Sequence, residues 1–232
     1  MKIHREQIIS TAIAILDRDG LEGVTLRRVA AELQVRPGAL YWHVQNKQEL
    51  LDEMANVLLS EQFAHFEGLI PGQEWSKWLQ EMCLRLRQAL LAHREGARVV
   101  AGAGFGRAFM LKQLLEITVS SLLAAGFSLR LAFLAWSTTT SYVYGFVIEE
   151  QAAPSEDTIR NAQRLQGESM VVAIQREKQE KMYTEDKDFC DGLEVIVDGI
   201  RQWRAKQLIY AEEDQEVREQ YSTELDSGSR EK

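Results

Sequence analysis

The chain has 232 residues, 45% of them hydrophobic and 27% charged, with only 3 prolines and 15 glycines. That is ordinary globular composition, long enough for one large core or two unequal domains, and the poverty in proline favours long helices. No run of about 18 apolar residues occurs, so no membrane span is expected, and a net charge of −8 argues at first sight against a nucleic-acid partner.

The charge is unevenly spread. Residues 1–47 hold seven Lys/Arg against five Asp/Glu, so this segment is +2 and the remainder −10. A mildly basic head sits on an acidic body. The N-terminus, "MKIHREQIISTAIAIL", carries charges on a polar face and lacks a small-residue cleavage site. It reads as an amphipathic helix, not a signal peptide. Cys83 and Cys190 make no metal or redox motif; they read as two buried free thiols in a reducing cytoplasm.

In chain order, the spacing of Ile8, Ile9, Ala12, Ile13, Ile15 and Leu16 predicts a helix over 5–18. Gly20 stops it. Thr25 stands where an N-cap is wanted, before "LRRVAAEL". Leu26, Val29, Ala30 and Leu33 face inward; Arg27, Arg28 and Glu32 face outward. The turn "QVR" leads to Pro37 at a first helical position, where a missing N–H costs nothing. The short helix "PGALYWHV" follows. Asn46 and Glu49 then form a capping-box variant that opens a helix of roughly 20 residues, ending near Phe66.

Two helices joined by a short turn and braced by a third make a helix-turn-helix. Gly38 and Ala39 let the backbone of the second helix come close to a groove. Tyr41 and His43 can reach phosphates or base edges, while Leu40 and Val44 hold the helix in place. The alternative is an ordinary helical hairpin whose aromatics are core.

The rest reads as helix. Trp75, Trp78, Leu79, Met82, Leu86 and Leu90 predict a helix over 75–93. "AGAGFG", residues 101–106, is a loop; its glycine spacing is wrong for a phosphate-binding turn, and no strand precedes it. Helices follow over 107–124 and 128–150. The second is apolar nearly all round and near membrane length, but Ser137 to Ser141 is a polar run that suits a buried helix better. The polar stretches 154–170 and 176–188 read as loop and partly ordered helix. Phe189, Leu193, Ile196, Val197, Ile200 and Trp203 then form a wide apolar stripe. The acidic segment 208–232 has little to bury and reads as a mobile tail.

Catalysis finds no support. His4, His43, His65 and His93 show no metal-ligand spacing, and no nucleophile–base motif occurs. Neither enzyme activity, cofactor nor metal is expected. The hydroxyls of Ser137, Thr138, Thr139, Thr140, Tyr142 and Tyr144 could orient a ligand in an apolar cavity. They could equally bond back to the preceding helical turn in a solid core.

"GLEGVTLRRVAAELQVRPGALYWHVQNKQELLDEMA" resembles the DNA-binding head of the tetracycline repressor (TetR/AcrR) family. "ALLAHREGARV", "AAGFSL", "GFVIEEQ" and "FCDGLEVIVDGI" resemble the body of its tetracycline-sensing subgroup, in the same order. The resemblance implies an all-α, homodimeric, ligand-responsive repressor of double-stranded operator DNA. By the same resemblance, Thr25 and Lys47 match phosphate contacts, Tyr41 a recognition-helix contact, and Arg27 an arginine that reads guanine. "RPGA", Arg36 to Ala39, departs from the family pattern and implies a different operator. With Arg28, Trp42 and His43 these complete the candidate DNA contacts.

The subgroup holds a drug–magnesium chelate through histidine, asparagine and phenylalanine positions that are here Phe63, Met82, Leu86 and Val100. Ala103 replaces a nearby threonine. Glu149 matches a family glutamate, but one carboxylate is not a metal site. An apolar effector is therefore expected, lined by Phe63, Met82, Leu86, Val100, Phe105, Phe133, Trp136 and Thr140. The 189–203 stripe and the 128–150 helix should pair with their copies across a two-fold axis.

The expected division is a head over 1–47, a connecting helix over 48–66, a ligand-binding and dimerisation body over 67–207, and a tail over 208–232. Two rivals stay open: a helix-turn-helix regulator with no small-molecule effector, and a helical enzyme or small-molecule carrier. An apolar pocket would separate the first, and DNA binding the second.

Overall fold

The structure is a computed structural model that describes residues 3–152, 170, 177 and 183–228, with side chains described to Gln207. Among the described residues the regular structure is entirely helical. The head contains α1 (Arg5–Asp19), α2 (Leu26–Glu32) and α3 (Pro37–Leu40). The chain continues through α4 (Lys47–Phe63), α5 (Trp75–Leu91), α6 (Gly96–Ala101), α7 (Phe109–Ala124), α8 (Leu129–Ala152) and α9 (Glu185–Gly228).

The stop and start signals work as their chemistry requires. Gly20 ends α1 at φ 78°, and its N–H donates to the Leu16 carbonyl. The Thr25 hydroxyl accepts the Arg28 N–H at the start of α2. Asn46 Oδ1 accepts the Glu49 N–H at the start of α4. The reciprocal half of that box is displaced by one residue: the Glu49 carboxylate accepts from the Gln45 N–H rather than from Asn46.

The head core is small and apolar. Ile8, Ala12 and Leu16 of α1 meet Val29, Ala30, Leu40 and Val44, all fully buried. Burial of each large apolar side chain contributes about 1.5–3 kcal/mol. Helix α4 touches α1 on one side and α5, α6 and α7 on the other, so it belongs to both halves. In the body, α8 packs against α5, α6, α7 and α9. It is long and apolar enough to cross a bilayer. Its Ala132, Ala135, Trp136, Val143 and Val147 are nevertheless buried inside the protein.

Several expectations need correction. The recognition segment is one short helix, Pro37–Leu40, followed by a turn through Tyr41 to His43. Helix α6 was not anticipated, because six residues opening on glycine carry too little periodicity to register. Backbone helix α9 continues to Gly228, through most of the segment 208–232, where no helix was expected. Cys190 is exposed, and only Cys83 is buried. The polar stretches 154–170 and 176–188 lie outside the described residues, apart from positions 170, 177 and 183–188.

Candidate functional site

The head presents one polar and aromatic surface. Trp42 is 90% exposed and Tyr41 54%, while Leu40 and Val44 beside them are fully buried. The short helix and the turn after it are thus anchored by Leu40 and, four residues on, Val44, and offer the residues between them outward. The side chains of Arg27, Arg36 and Lys47 are exposed, with no side-chain hydrogen bond or ion pair among the described residues. Thr25 and Pro37 are exposed, and Ala39 and His43 half-buried. A Cβ on Gly38 would meet nothing within 4 Å, so the protein itself leaves this backbone open to a close approach. Arg28 differs: its guanidinium is exposed but pairs with Asp19 at 2.6 Å, which occupies it within the head in this state.

The head is bolted to the body at two places. At the first, the Leu21 N–H donates to Glu95 Oε2 at 2.6 Å. Asp17 accepts from the Arg94 N–H and meets His93 Nδ1 at 3.0 Å. The Arg94 side chain donates to the Arg18 carbonyl. A Cβ at Gly20 would stand 2.6 Å from Glu95 Oε2, so glycine is required here for space as well as for its φ.

The second bolt is a polar seam along α4. Glu49, Asp52 and Asn56 are buried although ionisable or amide-bearing. Glu49 pairs with Arg107 at 2.6 Å and with Arg5 at 3.0 Å. The Gln45 N–H, then Arg107 and Arg5, hold its carboxyl below the usual glutamate value, against the opposing effect of burial. Asp52 accepts from Gln48 and from the Gly104 N–H at 2.9 Å. Asn56 donates to the Arg107 carbonyl at 3.2 Å and accepts the Met110 N–H at 3.1 Å. The loop between α6 and α7 is therefore tied to three turns of α4.

Among the described residues the body core around Val100 is well buried. Phe63, Met82, Leu86, Val100, Trp136 and Thr140 are buried. The Thr140 hydroxyl donates to the Trp136 carbonyl at 2.8 Å, and Thr139 to Ala135 at 2.7 Å. These hydroxyls bond back to their own helix, so of the two readings left open the solid-core one holds for them in this state. Phe66, next to Phe63, stacks on Trp78. The depression lined by Phe63, Phe66, Met110, Gln113, Leu114 and Ile117 holds only about 10 Å³. Phe105 and Phe133, expected to line a pocket, lie on the surface at 49% and 54% exposure.

The apolar stripe of α9 is also corrected. Phe189, Leu193, Val197 and Ile200 are buried within the same chain, where α9 packs on α8 and α5. Phe189 stacks on Tyr142 and meets Phe146 edge-on. Ile196 is half-buried, and Trp203 faces outward at 55% exposure.

A family model described as "Bacterial regulatory proteins, tetR family" matches residues 8–54, and one described as "Tetracyclin repressor-like, C-terminal domain" matches residues 70–204. The chain is 32% identical over 206 residues to the class C tetracycline repressor protein of Escherichia coli, covering 88% of this chain and 93% of that one. The chain belongs to the TetR family. As a TetR-family protein it is a DNA-binding transcriptional regulator rather than an enzyme. A variant of TetR from Acinetobacter baumannii AYE, solved in complex with minocycline, is 30% identical with a TM-score of 0.67, over 88% of this chain and 99% of that one. BioQ, solved with its natural double-stranded DNA operator, is 30% identical with a TM-score of 0.62, over 86% and 98%.

The seam on α4 was missed when the TetR-like sequence was read. A signal was there: Glu49, Asp52 and Asn56 share a face of the helix with Leu59 and Phe63, where apolar residues are expected. Arg87 was missed too. It lies buried between Glu150 at 2.7 Å and Asp186 at 2.6 Å, over the Phe189 ring, and joins α5, α8 and the start of α9.

Proposed function

We propose that this TetR-family chain is a homodimeric repressor, acting in a bacterial-type cytoplasm, that a small apolar effector releases from its operator. The effector is not a tetracycline–magnesium chelate. The observation that carries this reading is Val100, fully buried at the position where the resemblance to the drug-sensing subgroup implies a histidine. Phe63, Met82 and Leu86 add hydrocarbon around it, and a chelate needs nitrogen and oxygen ligands. Losing such partners costs a polar ligand several kcal/mol, since its own groups stay unpaired.

The head, residues 1–47, would enter the major groove through α3. Thr25, Lys47 and Arg36 would hold phosphates, and Arg27, Gly38, Ala39, Tyr41, Trp42 and His43 would meet base edges or sugar. The operator-bound BioQ structure supports this use of the head. Residues 48–66 would connect it to a body over 67–207. Two heads must stand about 34–36 Å apart to enter successive grooves. An effector that enters the core beside α4 would change that spacing through the polar seam.

Calorimetry tests the reading. Tetracycline with magnesium should give no saturable binding at concentrations that saturate a drug-sensing relative. A screened apolar or aromatic compound should raise thermal stability, by about 2.7 kcal/mol at a hundredfold excess over its dissociation constant. Magnesium-dependent tetracycline binding at micromolar strength overturns the reading of Val100. If no compound in a broad apolar library binds, the protein regulates without a small-molecule effector.

A further inference from the structure

Helix α9 runs from the head end of the body to the opposite pole and continues. Its start lies near the head: Asp186 of α9 and Glu150 in the last turn of α8 both pair with Arg87. Beside Glu150, Gln151 donates to the carbonyl of His93, the residue whose ring meets Asp17 of α1. The far contacts of α9 are at the other end of α8. There the Ser128 hydroxyl donates to Gln207 at 3.0 Å, and Arg204 donates to the Ala125 carbonyl and lies over the Phe127 ring. So α9 is directed away from the head. Past Gln207 the same unbroken helix goes on to Gly228, about 30 Å further by helix rise. The match to the repressor-like body ends at residue 204, so this arm is an addition to it.

One apolar line runs through both parts of α9. On the body, Val195 and Trp203 are exposed, and a Cβ on Gly199 between them would meet nothing within 4 Å. The protein's own chain therefore leaves this line uncovered. By helical periodicity, positions 210, 217 and 221 of the arm, Tyr210, Val217 and Tyr221, share the face of Trp203. Positions 212, 216, 219 and 226, all Glu or Asp, fall on the opposite face. Ile196, Trp203, Tyr210 and Val217 recur every seven residues, with Tyr221 four further on. That is the spacing of a coiled-coil seam. A lone helical arm of this length is marginal in water and gains its stability by covering such a stripe.

We propose that the arm's partner is the arm of a second copy, the two pairing as a parallel coiled coil at the pole opposite the DNA. This rests on the homodimeric reading above. Two heads that enter successive grooves of one duplex face the same way. Both copies of α9 then run away from the DNA, and their arms leave the same pole side by side. Parallel pairing sets position 213, a glutamate, across from position 218 of the other arm, an arginine, on the flanks where opposite charges meet over such a seam. Asp214 falls inside the seam, and like charges there cost stability. The body contacts hold the two arms at high effective concentration, which offsets that cost. The acidic opposite faces repel further arms, so the assembly stops at two strands.

The test is disulfide cross-linking of the full chain. Cys190→Ser removes the exposed native thiol and leaves only the buried Cys83. Val217→Cys or Glu216→Cys is then added in that background, one on the seam and one on the opposite face. Under a mild oxidant, Val217→Cys should form a covalent dimer roughly tenfold faster than Glu216→Cys, since only seam positions bring two thiols within bonding reach. Circular dichroism should show both variants equally folded, and sedimentation should show both as dimers before oxidation. Dimers in which the two positions cross-link at equal rates, or not at all, overturn the arm pairing and leave the homodimer standing. Cross-linked species larger than a dimer also overturn it, because the stripe then joins separate dimers. A monomer in sedimentation overturns the homodimeric reading and the arm pairing with it.

Discussion

Arg27 and Arg28 are neighbours of equal charge in different surroundings. Arg28 is held by Asp19, while Arg27 points into solvent. Arg27→Ala should weaken operator binding by about 1–3 kcal/mol and relax the preference at one base pair. Lys47→Ala should weaken all sequences alike and flatten the salt dependence. Binding assays on operator and scrambled DNA at several salt concentrations separate the two; equal losses on every sequence would remove base reading from Arg27. The cysteines differ in the same way. Burial pushes the Cys83 thiol up to about 12, with the Thr139 hydroxyl opposing weakly, and Cys190 is exposed. A thiol reagent should label Cys190 in the native protein, and Cys83 only after denaturation. Sequence alone could not separate these two, because both sit in helical patterns of similar polarity.

At the scale of elements, α4 sets an acid limit on the head–body union. The Glu49 carboxyl titrates lower when folded than when unfolded, chiefly because the Gln45 N–H bonds its charged form. Its contribution is therefore complete above the ordinary glutamate value and is lost as pH falls through the depressed folded value. Glu49→Gln should cost about 1–2 kcal/mol at neutral pH, since its partners Arg5 and Arg107 are half exposed. The gap from wild type should close in acid, which denaturant titration at two pH values measures. The caps and apolar spacing of α1, α2 and α4 were legible in the sequence because they are local. The stripe on α9 was legible as apolar, but periodicity says which face is buried and not which molecule buries it. Phe189, Leu193, Val197 and Ile200 turned out to be covered by their own chain. The junction at Glu95 and Leu21 was illegible, since it joins residues 74 apart through a backbone N–H.

For the whole molecule, the proposed two-fold contact moves to the faces of α8 and α9 left uncovered. Phe133 and Leu134 on α8, and Val195 and Trp203 on α9, are exposed at 54%, 42%, 72% and 55%. Each such side chain buried against a second copy would contribute about 1.5–3 kcal/mol. Val195→Glu should give soluble, folded monomers that lose operator affinity, because Val195 takes little part in the core of its own chain. Sedimentation decides it: a variant that remains dimeric places the interface elsewhere.

In the proposed mechanism, the seam between α4 and the loop before α7 would also govern how sharply such a molecule responds. Its contacts at Glu49, Asp52 and Asn56 all lie on one rigid rod, so they engage or release together. Sliding α4 by a single residue, about 1.5 Å, would carry the bonds at Gly104 and Met110, now 2.9 and 3.1 Å long, out of register at once. A linkage of this kind behaves as a latch and not as a spring. Half-tilted heads should be scarcely populated, and distances between spin labels on the two heads should fall into two separate groups, with no gradual drift as the latch is released.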